Sequence, residues 1–410
     1  MLARRHGSSP GYPAGFWIIW TTVALDLVGF GIVVPILGRY AERFGASGFE
    51  VGLLVASFSA AQFVCAPLLG RLSDRIGRKP VLLLSLFGTA AGSFLTGAAG
   101  ALWVLFVGRI IDGASGGSVA VAQGAVTDLA SPEDRPRLLG MLSAAFGVGF
   151  VVGPAVGGLA SLGGPHVPFV VAGTVALVNG LIAIRRLPET LRRHEPRHEP
   201  GHEQRTVARA AEPAREPSSR PTLTRIWVLA LVGFTAICAF SGFETTFSLF
   251  ADRRFGLTEG PVALIFLGVG LLLVLVQIRL VGPASDRFGP LGALQIGLVC
   301  NALGLCLLSL THSWLLLVPS LALLTLGQGL AIPNLAATVA DRAPDAERGE
   351  ALGFQQRWQS LGRIVGPIVA GALFQAVGVP APYVAGAALT LVALGLLTRA
   401  QSSLAVASSA

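Results

Sequence analysis

Apolar runs of roughly 20 residues recur along this chain, near 16–38, 50–70, 80–100, 102–124, 138–161, 166–185, 226–250, 261–281, 290–310, 313–336, 350–374 and 381–399. No other feature narrows the possible folds so far. A run of that length crosses about 30 Å of hydrocarbon as a helix, and a helix satisfies each backbone N–H and C=O within the segment. Composition agrees: 53% of the residues are hydrophobic and 13% are charged, where a soluble domain carries about a quarter charged residues. The expected fold class is an all-α integral membrane protein with twelve transmembrane helices. The first run continues through Pro35 to Arg39 with no cleavage pattern after it, so it reads as a retained helix rather than a signal peptide.

A net charge of +8 invites a nucleic-acid reading, but the placement of the charge opposes it. Of the 30 Lys and Arg residues, 23 fall in the N-terminus, alternate loops and the C-terminal tail. Arg39, Arg43, Arg253 and Arg254 lie in the opposite loops, and Arg109, Arg357 and Arg363 lie inside spans. The positive-inside rule then puts both termini in the cytoplasm of a multi-pass protein, with the lipid bilayer and not nucleic acid as its surroundings. Only Lys79 among the basic residues is lysine, which suggests a GC-rich genome. Cys65, Cys238, Cys300 and Cys306 sit within apolar runs without a CxxC or metal-ligand spacing, so they read as small packing residues, with no metal site.

Residues 187–225 interrupt the pattern with Pro188, Pro196, Pro200, Pro213, Pro217 and Pro221 among Arg, Glu and His. That composition makes a solvated linker. His194, His198 and His202 recur at four-residue spacing there, but the prolines oppose the helix that would gather them around a metal. Three motifs return after the linker at offsets of 212, 213 and 213 residues: Gly70 to Gly77 as Gly282 to Gly289, Asp128 to Arg135 as Asp341 to Arg348, and Gly153 to Gly158 as Gly366 to Gly371. The register implies two six-helix halves, 16–186 and 226–399, flanked by tails at 1–15 and 400–410. Such repeats place a binding site near the midplane of the membrane.

Three segments carry a family resemblance: Gly70-Arg-Leu-Ser-Asp74-Arg75-Ile-Gly77-Arg78-Lys79-Pro80 between spans two and three, Leu25-Asp26-Leu-Val-Gly29-Phe-Gly31-Ile-Val-Val-Pro35 in span one, and Gly147-Val-Gly149-Phe-Val-Val-Gly153-Pro154-Ala-Val-Gly157-Gly158 in span five. They resemble, in turn, the signature loop, the first-helix motif of the efflux branch and the antiporter motif of the major facilitator superfamily. Within it, the likeness is to the twelve-helix drug/proton antiporters that include the tetracycline-efflux proteins. The resemblance implies a monomeric, cofactor-free carrier, not an enzyme, in a bacterial cytoplasmic (inner) membrane. Its implied work is the export of a small amphiphilic molecule (drug, antibiotic or metabolite) in exchange for protons by alternating access. A proton-coupled importer of a small metabolite and a non-transporting membrane receptor are the alternatives, and the antiporter motif argues against the importer.

The same residues have a physical reading. Gly149, Gly153 and Gly157 share one helical face, which lets a neighbouring backbone approach closely, and Pro154 weakens the local ladder, so span five can serve as a pliable seam between halves. The face recurs as Gly362, Gly366 and Ala370; ordinary small-residue packing is the plainer alternative. Gly77 suits a tight turn, and Arg75, Arg78 and Lys79 supply positive-inside charge. Asp74 exceeds what charge alone requires; the resemblance implies that it latches onto the start of span eleven, with Arg78 near Asp128. Asp286 and Arg287 repeat the device, but Pro290 and Leu291 stand where Arg and Lys are expected.

Ionisable residues inside spans are costly and mark function; here they are Asp26, Arg109, Asp112, Glu244, Arg357 and Arg363. Asp26 lies about 15 Å along span one and Asp112 about 16 Å along span four from its other end, so both are near mid-depth. Arg109 precedes Asp112 by one turn, and the Gly108 to Gly113 segment also resembles the family's fourth-helix motif, whose arginine is linked with proton coupling. A static ion pair is the competing reading. Glu244, about 9 Å from the outer end of span seven, suits a gate, and Arg357 and Arg363 either bind substrate or serve the glutamines around them. Gly113-Ala-Ser115-Gly-Gly117 matches a hydrolase elbow in form, but it lies in an apolar helix without the strand or partners that chemistry needs. Spans eight and nine hold no acidic or histidine residue between 262 and 281 or between 291 and 310, where some tetracycline exporters have one. The orientation is open to test: a cysteine introduced into 187–225 is expected to react with an impermeant thiol reagent only after the cytoplasmic face is exposed, and labelling of intact cells overturns the assigned topology.

Overall fold

The computed structural model describes residues 12–13, 15–131, 133–191, 220–344 and 347–409. Every regular element among them is helical: α1 (Phe16–Glu42), α2 (Gly48–Ile76), α3 (Arg78–Gly97), α4 (Leu102–Ser115), α5 (Ser118–Leu129), α6 (Arg135–Ser161), α7 (Val167–Arg186), α8 (Arg220–Phe255), α9 (Glu259–Arg279), α10 (Val281–Ser309), α11 (Trp314–Arg342), α12 (Arg348–Ala376) and α13 (Ala381–Ser409). The helices α4 and α5 make one span, Leu102–Leu129, broken at Gly116 and Gly117. Twelve spans result. Eleven are apolar and long enough to cross a membrane by composition alone, and the twelfth, α12, is equally long at 29 residues but far more polar. Most of the 187–225 segment, including His194, His198 and His202, lies outside the described residues.

The outer surfaces explain where these helices reside. Ile278 is 71% exposed and Leu315 85% exposed, patches that water tolerates poorly and acyl chains accept. Trp17, Trp103, Trp227 and Trp314 are exposed near helix starts, where an amphipathic indole suits the headgroup layer.

Packing divides the chain into two compact units. The first holds the residues up to Val33 together with Ala61–Arg192; the second holds Val34–Ala60 with the remainder. Residues 34–60 therefore pack with the second unit although they precede the linker. Arg39 and Arg43 of α1 supply one reason, pairing with Asp252 of α8 at 2.8 Å and Glu259 of α9 at 2.9 Å, and the Glu42–Arg253 contact at 3.4 Å reinforces them. Val23, Leu82, Leu86, Val121 and Leu142 fill the core of the first unit. Leu229, Val232, Leu294, Leu298, Leu335 and Leu397 fill that of the second.

Lipid supplies no hydrophobic drive between helices, so close backbone approach has to hold them. On α6, a Cβ added at Gly153 meets the Cα of Gly31 at 2.5 Å. That contact lies against α1 within the first unit. The second unit repeats it: a Cβ at Gly366 of α12 meets the Cys238 carbonyl oxygen of α8 at 2.4 Å. Backbone cannot step aside as a flexible side chain can, so Gly366→Ala is expected to cost about 1–3 kcal/mol and to lower the melting temperature of the purified protein. Gly395→Ala, with open space around its Cβ, is expected to leave that temperature unchanged.

Candidate functional site

The first unit gathers its intramembrane charges around the broken span. Arg109 Nη1 donates to Asp112 Oδ2 at 2.6 Å, with side chains only 4% and 11% exposed. Thr89 of α3 lies beside the same carboxylate. A Cβ at Gly92 of α3 comes within 2.8 Å of the Asp112 backbone nitrogen, so α3 presses directly on this turn of α4. Asp26 of α1 accepts a hydrogen bond from Ser118 Oγ, the first residue of α5, and lies within coulombic reach of Asp112. One cluster thus holds Asp26, Asp112 and Arg109.

Ser118 and Thr89 escaped the sequence reading, which took 102–124 as one unbroken helix. The available signal was the Gly116-Gly117 pair, two poor helix formers at mid-span. The break leaves backbone groups without their helical partners, and Gln62 Nε2 of α2 donates to the Gly116 carbonyl at 2.9 Å. That is the repair a membrane interior demands.

A second arrangement occupies the α2–α3 turn. Arg78 bonds Asp74 at 2.6 Å, Asp128 at 2.9 Å and Ser73 Oγ at 2.7 Å. Gly77 turns the chain with φ +113°, a conformation side chains rarely adopt. A Cβ there would also lie 2.4 Å from Glu189 Oε2. Glu189, just past α7, accepts the backbone N–H groups of Arg78 at 2.9 Å and Lys79 at 3.2 Å. It therefore caps α3 from a distant point of the chain, and nothing in local spacing marks it for that role. Among the remaining residues of this loop, Arg75 is exposed, Lys79 is half-buried, and Gly70 has no neighbour within 4 Å of an added Cβ. In the second copy, Gly289 keeps the positive φ at +71°, while Asp286 and Arg287 enter no ion pair among the described residues. Pro290 and Leu291, in place of Arg and Lys, remove the guanidinium that organises the first copy.

On α6, Gly149 approaches the Leu27 carbonyl oxygen of α1, 2.7 Å from an added Cβ, and Pro154, Gly157 and Gly158 are buried. In the second unit, Glu244 of α8 has a buried Oε1 with no hydrogen-bond partner and lies in coulombic reach of Arg363 of α12. Arg357 is on the same helix. Gln355 and Gln359 are buried on the face toward α8, where Gln359 packs at Gly233, whereas Arg357 and Arg363 are exposed.

Twelve spanning helices among the described residues, with a carboxylate–guanidinium cluster at a broken helix inside them, have the build of a multi-pass membrane transporter. The chain belongs to the Major Facilitator Superfamily, whose family model matches residues 19–290 and 255–405. It is 33% identical over 389 residues to "Tetracycline resistance protein, class C" of Escherichia coli, covering 93% of this chain and 96% of that protein. It is 26% identical over 386 residues to "Multidrug resistance protein 2" of Bacillus subtilis (strain 168), covering 93% and 94%. Among solved structures, the human organic anion transporter MFSD10 (TETRAN) matches with a TM-score of 0.69 and 26% identity, over 95% of this chain and 100% of that one.

The Glu189 cap is open to test. Burial pushes its carboxyl up, but the backbone N–H groups of Leu191, Arg78 and Lys79 outweigh that and hold it below its usual 4.5. A depressed carboxylate contributes stability above its unfolded value and loses it as pH falls through the folded one. Glu189→Gln is expected to cost about 1 kcal/mol near neutral pH. The gap in melting temperature between the two proteins should close as pH drops below 4.5.

Proposed function

We propose that this transporter exports a small amphiphilic molecule from the cytoplasm in exchange for protons. The arrangement that carries the reading is the Asp26, Ser118, Asp112 and Arg109 cluster at the break between α4 and α5. Two carboxylates and one guanidinium leave one negative charge in excess, and a single proton neutralises it. When the proton leaves, Asp112 retains Arg109 and Asp26 retains the Ser118 hydroxyl, so neither charged form is abandoned in a medium that penalises bare ions. A discontinuous helix at that depth gives the cluster room to rearrange, since Gly116 and Gly117 form no rigid helical turn. Proton loading then biases which membrane face the binding residues meet, the requirement for alternating access.

Export is supported by the relatives. Proteins named for tetracycline and multidrug resistance match more than nine-tenths of this chain, and a membrane carrier confers resistance by lowering the internal drug level. The charge distribution supports cytoplasmic termini in a bacterial inner membrane. The Arg78 latch joins α2, α3 and the end of α5, so Asp74→Asn is expected to change the balance between conformations, slowing transport with little change in substrate affinity.

Proteoliposomes test the coupling, with tetracycline and ethidium as probes. Asp26→Asn or Asp112→Asn is expected to cut accumulation driven by an imposed pH gradient at least tenfold. Downhill exchange, which needs no net proton transfer, should persist. If both variants match the unmodified protein under the gradient, the cluster is a structural ion pair and the coupling assignment fails.

A further inference from the structure

We infer that α12 binds the anionic group of the cargo through Arg357 and Arg363, so that the transported molecule is an amphiphilic organic anion such as an aromatic carboxylate. This rests on the transport reading above and deepens it by naming the chemistry of the substrate.

The helix α12 is the exception among the spanning helices. It has the length of its neighbours but too many polar residues to qualify as a span by composition. Its polarity is sorted by face. Gln355, Gln359, Gly362, Gly366 and Ala370 are buried, and the glycines lie against Phe234, Ile237 and Cys238 of α8. Gln356, Arg357 and Arg363 are exposed, with Ser360 half-buried between them. Arg357 and Arg363 flank the helix midpoint, about 9 Å apart along the axis. An arginine at such depth facing acyl chains costs about 2.5–3.5 kcal/mol even on the most lenient scale, so this face belongs to a water-filled cavity.

Structural pairing does not account for the two guanidinium groups. Among the described residues, no carboxylate lies within 4.0 Å of either one. Glu244 is in coulombic reach of Arg363, yet its buried Oε1 accepts no hydrogen bond, so its charge tempers the cavity without occupying the arginine's donors. Two positive charges against one negative leave this wall attractive to an anion. A guanidinium offers a planar fork of donors that matches a carboxylate. Beside it, Trp358 packs edge-on against Phe234 at 6.0 Å and near Phe354 at 6.3 Å, an aromatic surface suited to the apolar body of the same molecule. The human relative of solved structure is an organic anion transporter by name, consistent with this chemistry.

Equilibrium binding to the purified full-length protein decides the matter, using the fluorescent 2-naphthoxyacetate and its neutral primary amide. The carboxylate is expected to bind at least tenfold tighter than the amide. Arg357→Gln and Arg363→Gln are each expected to erase most of that preference while leaving amide binding in place. Should either glutamine variant fail to fold, Arg357→Lys and Arg363→Lys retain the charge and lose the fork, and a several-fold loss of carboxylate affinity is expected from them. Equal binding of the two probes, no detectable carboxylate binding, or full preference in the variants overturns the assignment. Because no gradient is imposed, a failure of proton coupling leaves this measurement intact, and the two readings fail separately.

Discussion

Every feature of this transporter answers to one constraint: inside hydrocarbon, no backbone polar group can look to water for a partner. The constraint makes every regular element among the described residues helical and asks that a break inside a span be repaired. Where α4 gives way to α5, the Gly116 carbonyl takes its hydrogen bond from Gln62 of a neighbouring helix, and Ser118 turns its hydroxyl toward Asp26. A break that is tolerated only when satisfied by other elements is a natural place for polar function, because the satisfying groups are already there.

The same constraint governs the charges. Buried ions repay their desolvation only through good geometry and additional hydrogen bonds. Asp112 meets that requirement with Arg109, and Arg78 meets it with Asp74, Asp128 and Ser73. Arg357 and Arg363 do not meet it within the described protein, and α12 leaves both exposed, outside its packing surface. The contrast between satisfied and waiting guanidinium groups is the ground on which a cargo-binding role is proposed for the second kind.

Helix association follows from close approach rather than from hydrophobic burial, and the two units solve it alike. The glycine face of α6 meets α1, and the corresponding face of α12 meets α8. The internal repeat is therefore a repeat of packing as well as of sequence. The signature turn was duplicated less faithfully: the glycine with positive φ survives at Gly289, while no ion pair surrounds it among the described residues.

The sequence alone determined the spans, because apolar length is a one-dimensional property that lipid reads directly. It also marked the repeat and the charged residues whose insertion cost demands a reason, Asp26, Arg109 and Asp112 among them. It read 102–124 as continuous, since periodicity cannot reveal a break whose cost is met by a residue far away in the chain, as Gln62 meets it. It gave no hint of Glu189, whose role depends on the end of α7 arriving beside the start of α3. The arginines of α12 were visible as charges, but their faces were not: only the packing of Gly362 and Gly366 against α8 fixes the rotation of that helix, and with it which side chains are left exposed.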